Sequence, residues 1–244
     1  MPKQQSDKSN IPFKAGQCVG LFKFFRERIH LEQFLDGFLY CNTPEYYRSN
    51  SSAGIGDSQE SCILNVDSAR GDQPMNIEID GQKAGKASQV FIRMGEKDGW
   101  LHCWAAITLP ADTQELTRLH SDITRIQSEF GPFYVYIEPN HVSEFLQRMK
   151  SVDPRARYSL VTYYKQGYVG HSVFHKSVEF SYQREFRFLF GECPPTEIEQ
   201  RTFRVPRGFR DIAGDCCEIS VKAAIESTGE DVQFRLVSFP TVIR

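Results

Sequence analysis

The stretch SYQREFRFLF, residues 181–190, leaves the chain few conformational choices. Phe186, Phe188 and Phe190 alternate with Glu185, Arg187 and Leu189. Successive side chains on a strand point to opposite faces, so the three phenylalanines demand a strand with one deeply buried face. The polar run before Glu185 sets that carboxylate at the strand mouth, on the face opposite the rings. Two readings follow. The carboxylate is neutralised by Arg184 or Arg187, or it stands at a cleft for chemistry. An exposed pair contributes only about 0 to 1 kcal/mol. On that basis replacing Glu185 leaves folding nearly untouched, and under the second reading it removes an activity.

Other segments carry the same period of two. VGLFKFF (19–25), FLYCNTP (38–44), QVFIRM (89–94), WLHCWAAIT (100–108) and PFYVYIE (132–138) read as strands, WLHCWAAIT as a central one. YSLVTYYKQ, EFRFLFG, CCEISVKAAI and VQFRLVSFP add four more, and Asp80-Gly81 in NIEIDGQKAG signals a hairpin. Helical spacing appears in ERIHLEQFLD, with Gly37 as its stop, and over 112–130, where Leu116, Leu119, Ile123, Ile126 and Phe130 recur before Gly131. PNHVSEFLQRMK reads as a short helix capped by Asn140. No repeat or linker divides the chain. The spacing predicts one α+β domain over 18–244, its helices inserted between strands, behind a flexible arm at 1–17.

Several function classes drop out. A net charge of -2 argues against a chain coated in nucleic acid, although it leaves room for a local basic groove. No apolar run approaches the ~20 residues of a membrane span, and the polar start lacks an apolar signal region. No membrane partner is therefore expected. Seven cysteines, at 18, 41, 62, 103, 193, 216 and 217, contain no C-x-x-C pair. They read as reduced thiols of a cytoplasmic protein with no metal site. His102 and Cys103 are adjacent and so face opposite ways on a strand, which excludes them as a mutual nucleophile and base.

The segments LFKFF…LEQFLDGFLYCNTPEYYR, GDSQES and KSVEFSYQREFRF resemble a bacterial family that opens on an lyKyr…lyfs.p pattern and closes on yxxExEyR. That opening is similar to the DarT-like ADP-ribosyltransferases, a group that includes phage-defence toxins modifying nucleic acid. The match falls in blocks within 19–60 and 172–190, about a quarter of the chain. The resemblance implies a split β-sheet core and NAD as co-substrate, without a metal. It implies a nucleic-acid acceptor and allows an antitoxin partner. Carried over by position, it makes Glu185, Lys23 and Tyr40 catalytic. Arg26, Asn42 and Thr43 fall beside them as NAD contacts; stacking chemistry adds Phe24, Tyr46 or Tyr47 as a ring for nicotinamide, and the loop that follows adds Arg48. Lys23 departs from the family's His or Arg, and Tyr40, Asn42 and Thr43 share the ambiguous middle place.

The chemistry suits this set. Breaking the nicotinamide–ribose bond passes through an oxocarbenium-like state, which a fixed carboxylate stabilises. The same group can take a proton from an incoming nucleophile. Cationic Lys23 or Arg26 would balance a pyrophosphate. The loop Glu45–Ser61, with Tyr46, Tyr47, Arg48, Asp57 and Glu60 among flexible residues, is expected to close over the ligand. For the acceptor, RTFRVPRGFR spaces Arg201, Arg204, Arg207 and Arg210 at every third residue between rings, and PRARYSLVTYYK mixes cations and tyrosines likewise. Such mixing suits single-stranded nucleic acid, or it is a solvated surface. Two alternatives stand beside the transferase: a non-catalytic nucleotide-binding module, and a nuclease holding a divalent metal on Asp57, Glu60 and Glu185.

Overall fold

Aromatic alternation dictates the centre of the molecule. The computed structural model describes residues 16–52, 54–93, 98–165, 168–169, 173–214, 218–224 and 231–237; most of the 1–17 arm, Cys216 and Cys217 lie outside these. The chain runs β1 (Cys18–Phe25), α1 (Arg28–Leu35), β2 (Phe38–Cys41), α2 (Pro44–Ser49), β3 (Cys62–Asp67), β4 (Met75–Ile79), β5 (Gln82–Ala87), β6 (Gln89–Arg93) and β7 (Asp98–Thr108). It continues through α3 (Thr113–Phe130), β8 (Phe133–Ile137), α4 (Val142–Val152), β9 (Arg157–Leu160), β10 (Thr162–Tyr164), β11 (Tyr168–Val169), β12 (His175–Ser177) and β13 (Glu185–Cys193). β14 (Arg201–Arg204), β15 (Ala213–Gly214), β16 (Glu218–Ala224) and β17 (Asp231–Val237) complete it. This is a mixed α+β protein. Among the described residues no helix is long and apolar enough to cross a membrane.

Six strands form an antiparallel sheet in the order β15-β8-β1-β7-β13-β9. Helices cover both faces, as the alternation requires. On one side Leu21, Trp104, Phe188 and Phe190 meet Phe34 of α1, Phe145 of α4 and Phe209. Phe34 and Phe209 stack with centroids 4.6 Å apart and planes 4° from parallel. On the other side Phe22, Ala105, Ile107 and Tyr134 meet Leu116, Leu119, Ile123 and Ile126 of α3. The read helical stripe of α3 is thus its buried stripe, and Asp112 caps it by accepting the Glu115 N–H at 2.7 Å. Burying such faces is the main favourable contribution to folding.

Gly37 ends α1 as expected, for two reasons: its φ is +94°, and a Cβ there would lie 2.1 Å from the Val205 carbonyl oxygen. Asp80 and Gly81 (φ 52° and 79°) make the β4–β5 hairpin turn. Three expectations change. Pro44, read as a strand end, and 45–49, read as loop, form a short helix, because Thr43 accepts the Tyr46 N–H and Pro44 pre-sets the first turn. Asn140 does not cap α4; it lies in a 3₁₀ turn, and α4 starts from His141 with no side-chain cap. The basic run at 201–204 is a strand, β14, paired with β2. The five described cysteines are free thiols.

Candidate active site

The central sheet comes apart at one point. β1 pairs with β8 as far as Phe25 opposite Phe133, but its register with β7 stops at Phe22 opposite Ala105. Beyond that fork β7 keeps β13 on one edge and takes Asn42 on the other. The Asn42 N–H donates to the Leu101 carbonyl at 3.2 Å, and the Leu101 N–H donates back at 2.7 Å. Lys23 explains part of the separation. It lies between Leu21 and Phe25 on the apolar face, where an ammonium is costly. Its Nζ turns into the gap and donates to the Cys103 carbonyl at 3.0 Å, on the edge that β1 has left. Burial pulls the Lys23 ammonium's pKa down.

The gap is a cleft of about 220 Å³. Phe22, Lys23 and Phe24 of β1, Leu101 to Ala105 of β7, Tyr40, Asn42, Tyr46, Tyr47, Ile55 and Glu185 line it. Seven of the ten residues read as catalytic or NAD-binding therefore meet in one place: Lys23, Phe24, Tyr40, Asn42, Tyr46, Tyr47 and Glu185. Tyr40 stands at the rim, 41% exposed, against the His30 ring. Tyr47 is held deep enough that burial pushes its phenol well above the usual range, with Asn42 as hydrogen-bond partner. Oδ1 of Asn42 is buried and has no partner among the described residues. Ile55 brings the 50–61 loop to the cleft wall, and the Gln183 Nε2 donates to the Gly54 carbonyl at 2.6 Å to hold it there.

Glu185 is not a surface residue. It is 8% exposed and both its oxygens are bound. Lys176 Nζ donates to Oε1 at 2.9 Å, and Arg187 Nε donates to Oε2. The Arg187 guanidinium then grips Glu60 through two bonds, at 2.6 and 2.8 Å, and donates to the Val173 carbonyl. Two carboxylates and two cations balance, which is what makes such a buried set tolerable. Burial would raise the pKa of Glu185, but Arg187 and Lys176 overcome it and hold the carboxyl at about 2. Of the two arginines considered from sequence, Arg187 is the partner. Arg184 sits in the left-handed region at φ 48° and turns away to Asp122 at 2.8 Å. The expectation that Glu185 matters little to folding is therefore corrected, because its pairs are desolvated and not exposed.

The other predicted residues lie elsewhere. Thr43 is spent on capping α2 and donates its hydroxyl to the Glu197 carbonyl. Arg26 is exposed and donates to the Glu129 carbonyl at 3.3 Å. Arg48 is a strut: it bonds Glu45 at 2.7 Å and the Glu60 and Pro195 carbonyls at 2.8 and 2.7 Å. The four spaced arginines do not make one basic face. Residues three apart on a strand point to opposite sides, so Arg201 lies over Trp100 and Phe203 while Arg204 lies over Phe38. Arg207 pairs with Glu144 and Asp211, and Arg210 with Glu32 and Asp36. Tyr163 and Tyr164 are likewise taken up, accepting the Glu185 N–H and an Asn65 N–H.

A metal does not fit Asp57, Glu60 and Glu185, since two of the three are held by cations; among the described residues no His, Cys, Asp and Glu cluster has metal-binding geometry. His102 and Cys103 do face opposite ways. His102 accepts the Trp104 indole N–H on Nδ1 at 3.0 Å, and burial holds it neutral. Burial pushes the Cys103 thiol up to about 11, so it is no nucleophile at neutral pH. Sequence reading assigned no role to Lys176 and Gln183, although both lie in the KSVEFSYQREFRF segment. Compared with models of known protein families, with curated proteins and with solved structures, the chain gives no match.

Proposed function

We propose that the cleft takes the nicotinamide-ribose end of NAD and that the protein transfers ADP-ribose to an acceptor, a nucleic acid in our reading. One observation carries this: Lys23, Phe24, Tyr40, Asn42, Tyr47 and Glu185, from four separated segments, converge on the fork in the sheet. In the reaction the bond from ribose C1′ to the nicotinamide nitrogen breaks, its electron pair leaving with neutral nicotinamide. A nucleophile on the acceptor then bonds to C1′ and gives up its proton to water at the cleft mouth. Glu185, anionic at every physiological pH, lowers the energy of the cationic ribose. A carboxyl held at about 2 is a poor base, so the electrostatic role outweighs proton abstraction. Lys23 donates to ligand oxygens from the opposite wall, and Phe24 or Tyr47 gives a ring for nicotinamide to lie against.

For the acceptor, support comes from the outer face of the β2–β14 ribbon. Tyr40 with His30, and Arg204 over Phe38 at 4.4 Å, give stacking surfaces beside the cleft mouth. A toxin or phage-defence role is part of the same reading, with growth arrest on expression as its sign. The direct test is nicotinamide release from NAD, alone and with single-stranded RNA or DNA. Release that needs Glu185 and Lys23 supports the proposal; a folded protein that neither binds nor cleaves NAD overturns it. The engagement of both Glu185 oxygens favours a second reading, a binding module, which would bind NAD without releasing nicotinamide.

A further inference from the structure

Lys176 is buried and reaches no wall of the cleft, yet its ammonium is fully used. It sits in β12, opposite Tyr163 of β10 in a parallel pair. The six residues after β12 form a 3₁₀ turn, Val178–Gln183, and Arg184 in the left-handed region reverses the chain into β13. That excursion brings Gln183 and Glu185 back onto Lys176: Nζ donates to Gln183 Oε1 and to Glu185 Oε1, each at 2.9 Å. The Phe180 ring lies 4.4 Å from the same nitrogen. Three donors thus meet two oxygens and a ring face, and no water is needed to satisfy them.

We propose that Lys176 is the positioning residue for Glu185, fixing the rotamer of its carboxylate from behind the cleft and serving as its own counter-charge. This rests on the transferase reading. The other cation beside Glu185 cannot serve alone, because Arg187 spends two of its nitrogens on Glu60 and one also on the Val173 carbonyl. Arg187 is therefore shared between Glu185 and Glu60, whereas Lys176 gives its one ion pair to Glu185. The remaining groups facing Glu185 do not replace the ammonium. Glu60, on the loop before β3, carries like charge, and Asp57 on the same loop, raised to about 6 by burial, is neutral where Glu185 titrates. Cys103 on β7, Tyr163 on β10 and Tyr47 on α2 are neutral, burial having raised each. Lys23 on β1 turns its ammonium to the Cys103 carbonyl and forms no ion pair with Glu185. Without Lys176, Glu185 keeps one side-chain contact, to an arginine it shares with Glu60, in a desolvated site, so it takes up a proton more readily and is free to swing.

The experiment follows Glu185 in the full-length protein by carbon NMR of its side-chain carboxyl, assigned with Glu185→Gln, and measures nicotinamide release against pH in parallel. Lys176→Met should move the Glu185 titration up by more than one pH unit and shift the acid limb of the release profile by the same amount. KM for NAD should change little while kcat falls. Lys176→Arg should restore both profiles. A Glu185 titration unchanged in folded Lys176→Met overturns the proposal, as does an acid limb that stays put while the titration moves. Should Lys176→Met not fold, Lys176→Gln, which keeps a donor without the charge, gives the same two readouts. A wild-type chain that releases no nicotinamide overturns the transferase reading and the catalytic part of this one, and the titration then separates that failure from a failure of the Lys176–Glu185 clip.

Discussion

Replacing Glu185 by Gln tests whether the buried quartet is held by charge. The folded protein keeps this carboxyl at about 2 against an ordinary 4.5, a difference worth about 3 kcal/mol. Because the folded value is the lower one, the native state binds fewer protons than the unfolded chain. The stabilisation is therefore complete above pH 4.5 and lost as pH falls through about 2. Gln keeps the shape and one acceptor oxygen, but it turns an N–H donor toward a cation and leaves Lys176 and Arg187 with a single carboxylate, Glu60. In a domain of this size the loss should lower the melting midpoint by about 6 to 12 °C at pH 7. Urea unfolding followed by circular dichroism at several pH values gives the decisive curve. The gap between wild type and variant should shrink to about 1.4 kcal/mol at pH 3. A gap that stays constant from pH 7 to pH 3 would refute the charge argument, and one below about 1 kcal/mol at pH 7 would return Glu185 to the ranks of exposed pairs.

Asp57 works in the opposite sense. Burial first, and then Glu60, raise its carboxyl to about 6 from 3.8, so the native state keeps a proton that the unfolded chain has lost. Stability falls as pH climbs from 3.8 to about 6, and Asp57→Asn should be about 3 kcal/mol more stable at pH 7 with no gain below pH 4, by urea titration. Phe209→Ala, which removes a fully buried ring stacked on Phe34, should cost about 3 to 5 kcal/mol. Its neighbour in the basic run, exposed Arg207, should tolerate Ala with the melting midpoint unmoved, and equal losses at the two positions would contradict the placement of this segment.

Much of the architecture was legible because it is written locally. Alternation marked the ring-bearing face of β13, and the spacing of Leu116, Leu119, Ile123 and Ile126 marked the buried stripe of α3. Thr43-Pro44 held a cap and a first-turn proline that the surrounding serines and glycines obscured. The arginines at 201, 204, 207 and 210 misled for the converse reason: a period of three suggests one face only where the chain is helical, and 201–204 is a strand. The cleft was partly legible, since the segments bearing Lys23, Tyr40, Asn42 and Glu185 stood out by pattern. The quartet behind it was not. Glu60 and Arg187 are separated by 127 residues in the chain, and only the tertiary fold reveals that a carboxylate from the 50–61 loop neutralises an arginine on β13.

The fork between β1 and β7 also has a dynamic consequence. Where two strands separate, each loses on one side the ladder that slows the opening of its backbone, and the local free energy of opening falls below that of the surrounding sheet. Residues 102–104 and 23–25 are therefore the soft spot of an otherwise rigid centre, even though Phe22 and Trp104 are among the most buried side chains. Amide hydrogen exchange should run faster there than at Ile107 or Leu21, two residues on these same strands where the ladder is intact. An occupant of the cleft would take the place of the missing rungs, and protection should rise at these two segments first, so that the molecule stiffens at its centre on binding.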